Sequence, residues 1–107
     1  MDIAEWRKKI DELDRKMVEL LNERAKAAQE IGRLKRSTAM PIYEPDREKK
    51  IFENVKAVNQ GPLSSLDVTQ VFERIIDIMR NLQKNEIVAD EKQKLSGGTE
   101  FDVDVNE

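Results

Sequence analysis

A chain of 107 residues, 38% charged and 5% aromatic, has the size of one domain with a modest core. It holds neither Cys nor His. That removes a disulfide framework, thiolate chemistry, the commonest general base and the commonest metal ligand together. The net charge of -3 is uneven: residues 90 to 107 carry six acids against two lysines, or -4, which leaves residues 1 to 89 near +1. No basic stripe of the nucleic-acid-binding kind is present, no apolar run reaches membrane-spanning length, and the N-terminus has no signal-peptide pattern. The expectation is an all-α, soluble, cytoplasmic protein without nucleic-acid or membrane partners.

The first predicted helix runs from about Ile3 to Arg36 and is roughly 50 Å long at 1.5 Å per residue. Ile3, Trp6, Ile10, Leu13, Met17, Leu20, Arg24, Ala27, Ile31 and Leu34 follow one another by alternating steps of three and four, the spacing of one packed face. Every member is apolar or Ala except Arg24. A guanidinium in such a seam pairs with an acid of a neighbouring helix, snorkels to water, or meets an anionic ligand. Lys35 returns eleven residues later to nearly the same angle, and Ala27, Ala28 and Gly32 lie between the two cations. The small residues leave room for a ligand or allow close helix packing. A globule of this chain length has a radius of gyration of about 13 Å, so the helix overshoots its own fold. Side-by-side pairing in a two-fold dimer covers the seam; a bend at Gly32 is the alternative.

Residues 37 to 44 form a connector in which Pro41 stops the first helix. Pro45 opens a second helix reaching about Asn59, with Ile51, Phe52, Val55 and Val58 on its apolar face. Arg47 and Glu48 precede Ile51 and Phe52 by four residues, which places both on that face. Glu48 suits the first turn of a helix, whereas Arg47 stands at the unfavourable end of its dipole. Gln60, Gly61 and Pro62 break the chain, and Ser64 or Ser65 can cap a third helix predicted over 65–88. Its face is Val68, Val71, Phe72, Ile75, Ile76, Met79 and Leu82, and the row Phe72, Ile76, Met79 ends on Gln83. The acidic residues 90–107 read as a flexible or loosely docked tail or linker, outside a helical domain of residues 1–89.

Arg24, Lys35, Arg47, Glu48 and Gln83 therefore share inward faces, and Arg7 sits at the edge of the seam. Arg7 and Arg24 are about 25 Å apart along a straight helix, so one small molecule cannot meet both from one chain. A crossed partner helix could supply the second arginine. Guanidinium forks, an ammonium and a neutral amide suit a compact dianion, and chemistry without His or Cys must rest on positioning and charge stabilisation.

The stretches Arg7-Lys8-Lys9-Ile10-Asp11-Glu12-Leu13-Asp14, Leu20-Leu21-Asn22-Glu23-Arg24, Ile31-Gly32-Arg33-Leu34-Lys35, Tyr43-Glu44-Pro45-Asp46-Arg47-Glu48 and Phe72 through Gln83 resemble the all-helical, AroQ-type chorismate mutases. The likeness covers about residues 3 to 85. It implies an intertwined homodimer of three-helix chains, one helix very long, with two equivalent sites and no cofactor or metal. It also implies conversion of chorismate to prephenate. Under this resemblance Arg24 and Arg7 of the partner subunit hold the carboxylates. Lys35 and Gln83 donate to the ether oxygen, Arg47 is a further site cation, Glu44 lines the site, and Glu48 takes the substrate hydroxyl. Met79 departs from the pattern, standing where many relatives have a small hydroxyl residue. Isochorismate-pyruvate lyase of the same fold and a non-catalytic regulatory helical dimer are the alternatives, and fusion or association with another shikimate-pathway enzyme is a further expectation.

Overall fold

The structure is a computed structural model that describes residues 1–96, with side chains described for residues 1–88. Among these residues it has three helices and no strand: α1 (Ile3–Thr38), α2 (Pro45–Val58) and α3 (Ser65–Ser96). A capping box starts α1. Asp2 Oδ1 accepts from the Glu5 backbone N–H at 2.9 Å, and Glu5 Oε1 accepts from the Asp2 N–H at 3.0 Å. Ala39 ends the helix in the left-handed region at φ 58°, and the Met40 N–H closes on the Lys35 carbonyl at 3.0 Å. Pro45 begins α2 at a position where its missing N–H costs nothing. In the next turn the Asn59 side chain accepts from the Gly61 N–H at 3.1 Å and donates to the Leu63 carbonyl at 2.8 Å. Ser64 Oγ then accepts from the Asp67 N–H at 3.0 Å, so Ser64 is the cap of α3.

One expectation holds and one changes. The first helix runs unbroken through Gly32, as its periodicity predicts. Gly32 serves close approach: a Cβ there would stand 3.0 Å from the Gln83 Cα, tighter than packed side chains normally come. By contrast, α3 does not stop near Val88 but continues to Ser96. The segment Asp90-Glu91-Lys92-Gln93-Lys94-Leu95 has no Gly or Pro and several good helix formers, so nothing local ends the helix before the glycine pair that follows. The remainder of the expected tail, residues 97–107, lies outside the described residues.

The second half of α1 packs on α3, and α3 also carries α2; the backbones of α1 and α2 do not approach closely. The row that α1 buries is Ala28, Gly32 and Lys35, which lies beside the predicted seam and not on it. On α3, Ile76 and Met79 are buried. The far end of α1 is locked by Arg33, which donates to Glu86 Oε1 at 3.0 Å, and by Arg36, which donates to the Glu86 carbonyl at 2.9 Å. Most of the seam faces outward: Ile3, Trp6, Ile10, Met17, Leu20 and Leu34 are exposed, Leu20 by 62%. The chain is correspondingly long, 60 × 34 × 18 Å with a radius of gyration of 18.4 Å. A compact fold of this length would have about 13 Å.

Candidate active site

The angle between α1 and α3, with α2 leaning on α3, encloses a cavity of about 330 Å³. That is the small end of the range for ligand pockets, about 300–1,000 Å³. Helix α1 contributes Arg24, Ala27, Ala28, Ile31 and Lys35; the connector gives Ile42 and Glu44. Arg47, Glu48 and Ile51 come from α2, and Ile76, Met79, Arg80 and Gln83 from α3. Seven of the eight expected site residues are thereby brought together. The eighth, Arg7, is exposed near the start of α1 and lies outside this cavity.

Lys35 is its centre, with only 5% of its surface exposed. Its ammonium donates to Gln83 Oε1 at 3.0 Å and to the Ile42 carbonyl at 3.1 Å, and pairs with Glu44 Oε1 at 2.6 Å. Glu44 occupies the N-cap position of α2, yet its side chain makes no capping bond. It reaches across to the lysine instead. The Lys35 bond uses the Gln83 amide oxygen, so what Gln83 can offer a guest is its N–H₂ donor.

Arg24 is half-buried on the α1 wall. Burial first, and then the facing Arg47 guanidinium, press its pKa below the ordinary arginine value. Arg24 and Arg47 thus put two cations on the walls of one cavity. Met79, buried, gives the cavity an apolar wall.

Arg80 is the residue that sequence reasoning missed. Its Nη2 donates to Glu48 Oε2 at 2.5 Å and its Nη1 to Asp77 Oδ1 at 3.2 Å. Its guanidinium carbon lies 5.4 Å from the centroid of the Tyr43 ring. The hydrogen bond to Glu48 leads the effects that raise its pKa, outweighing burial, with the charges of Glu48 and Asp77 adding to it. The signal was available: Ile76, Arg80 and Gln83 follow by four and three along one face of α3.

The lining carries four cations, Arg24, Lys35, Arg47 and Arg80, against two carboxylates, Glu44 and Glu48, a surplus of two positive charges. Among the described residues no group of acids forms a metal-binding cluster, and no helix is long and apolar enough to cross a membrane.

A chain of three helices and, among the described residues, no strand has the fold of the all-helical chorismate mutases. Known proteins agree: residues 6–84 match the family model described as chorismate mutase type II. The chorismate mutase of Methanocaldococcus jannaschii is 34% identical over 83 residues, 77% of this chain and 84% of that protein. The bifunctional chorismate mutase/prephenate dehydratase of Aquifex aeolicus is 36% identical over 92 residues, 82% of this chain. This chain spans only a quarter of that relative's length. The solved chorismate mutase (form II) of Thermus thermophilus superposes with a TM-score of 0.75 at 33% identity, covering 77% of this chain and 93% of that one. The chain belongs to the chorismate mutase type II family.

Proposed function

We propose that the chain works as an intertwined homodimer in the cytoplasm and converts chorismate to prephenate in aromatic amino-acid biosynthesis. In this dimer each cavity is completed by Arg7 of the partner subunit. The observation that carries the reading is the cavity's surplus of two positive charges around a buried ammonium, which matches a small dicarboxylate. The exposed apolar row of α1 supports the dimer, since a contiguous stripe of that size on a helix marks an interface.

The reaction is a unimolecular [3,3] rearrangement: the ether C–O bond breaks as a new C–C bond forms. No proton need be moved and no covalent adduct formed, so a cavity without His or Cys is adequate. Arg24 and Arg7 of the partner subunit hold the two carboxylates with guanidinium forks, with Arg47 adding positive charge, and so select the compact chair-like conformer. The Glu48 carboxylate accepts from the substrate hydroxyl, and Glu44 keeps the Lys35 ammonium in place. When substrate binds, one of the three Lys35 N–H groups leaves its present acceptor for the ether oxygen, beside the Gln83 N–H₂ group, where negative charge grows in the transition state. Each such preorganised donor is typically worth about 3 kcal/mol of barrier. Met79 supplies van der Waals contact only, leaving the carboxylates to the arginines.

Residues 1–89 form the catalytic unit in this reading. Pairing with another enzyme of the shikimate pathway fits the relatives that carry prephenate dehydratase in the same chain. The test is incubation of purified protein with chorismate. Chorismate should disappear with prephenate as the product and no pyruvate released; pyruvate release, or no turnover, would contradict the assignment.

Gln83 gives a second prediction. A carboxyl can donate a hydrogen bond only when protonated, whereas an amide donates at any pH. Gln83→Glu should therefore turn a flat pH–rate profile into one that rises toward acid. The adjacent Lys35 ammonium favours the ionised form of the new carboxyl, which pushes that rise further down in pH. A Gln83→Glu profile as flat as the wild type's would remove Gln83 from the ether oxygen.

A further inference from the structure

Glu48 sits among several cations. From α1 the cavity presents Arg24 and Lys35, from the connector Glu44, from α2 itself Arg47, and from α3 Arg80, with Asp77 and Tyr43 bound to Arg80. A carboxylate that swung onto Arg24, Lys35 or Arg47 would cancel charge that a dianionic guest needs. The partner that holds it away is Arg80 of α3. The Arg80–Glu48 bond crosses from α3 to α2 at 2.5 Å, between side chains only 26% and 21% exposed. Arg80 is in turn braced by Asp77 on its own helix and by the Tyr43 ring, and its Nε is buried without a hydrogen-bond partner among the described residues. One guanidinium thus fixes two nitrogens on two carboxylates, which an ammonium cannot reproduce.

We infer that Arg80 is a positioning residue of the site: its fork holds the Glu48 carboxylate on the α3 side of the cavity, off the cations that bind the substrate and aimed at the substrate hydroxyl. This rests on the reading above in which Glu48 accepts from that hydroxyl. Arg80 touches Glu48, not the reacting atoms.

Steady-state kinetics on chorismate with Arg80→Leu, Arg80→Lys, Glu48→Gln and the corresponding double variants test it, with helical circular dichroism confirming folding. Arg80→Leu should raise KM about tenfold, with a smaller change in kcat. Arg80→Lys should also raise KM, because charge is kept but the fork is lost. Adding Glu48→Gln to either should return KM toward the wild-type value while kcat stays low, since the stray carboxylate is gone but so is the hydroxyl acceptor. A KM within about twofold of wild type in the Arg80 variants, or one that Glu48→Gln leaves raised, would overturn the role. A merely structural ion pair gives the latter result. Should Arg80→Leu not fold, the Arg80→Lys cycle is judged by the same two criteria. Wild-type protein that leaves chorismate unchanged would overturn the functional reading itself, whereas active wild type with unrescued KM would overturn only Arg80.

Discussion

Replacing Lys35 with Ala is expected to lower kcat/KM at least 10²–10³-fold, the usual cost of removing a preorganised donor to developing charge, while helix content and the mass of the native assembly stay as they are. The side chain is the buried hub of the cavity, joined to Gln83, the Ile42 carbonyl and Glu44. Its removal takes away the ammonium facing the ether oxygen and also the anchor that fixes the Gln83 amide. Structure should survive the change. Glu44, the acid left behind, is 36% exposed at its side chain, so water can replace the lost partner. Enzyme assays beside circular dichroism and native mass separate the two effects. Turnover retained in Lys35→Ala would take Lys35 out of the reaction.

Arg7→Ala is expected to be almost as damaging, which the single chain gives no reason to anticipate. Arg7 is exposed, outside the cavity, and about 25 Å from Arg24 along α1. An isolated surface substitution normally changes stability by no more than about 0.5 kcal/mol. Truncating one partner of a desolvated, hydrogen-bonded charge pair costs about 2–5 kcal/mol, thirtyfold or more in kcat/KM. The gap between those magnitudes is the measurement. A large loss requires Arg7 to reach a substrate from another subunit; kinetics within about twofold of wild type would place it on an ordinary wet surface.

The three helices were legible because turn and cap chemistry punctuates them: Pro41 and Pro45, the Gly61–Pro62 break, and Ser64; the Asp2–Glu5 capping box that starts α1 came only with the structure. Lys35 and Gln83 were legible as polar groups set into apolar rows. Periodicity did not say which of two adjacent rows on α1 meets its own chain. The row Ala28, Gly32, Lys35 packs on α3, and the more apolar row through Trp6, Leu13 and Leu20 is left outward. A pattern records that a face is apolar and not whose surface covers it. The Glu44–Lys35 pair was hidden for another reason, since a residue before a helix-opening proline reads as a cap. Arg80 was lost among the many charges of α3, because the row followed through Phe72, Ile76 and Met79 passes one residue beside it.

If one active site is built from two chains, mixing two inactive variants restores activity that neither has alone. Arg7→Ala and Lys35→Ala subunits, unfolded together in equal amounts and refolded, should form mixed dimers as half of all dimers, each with one intact and one doubly damaged site. Activity should rise from near zero to about a quarter of that of the same mass of wild type. A mixture no more active than the two variants refolded separately would contradict the shared site.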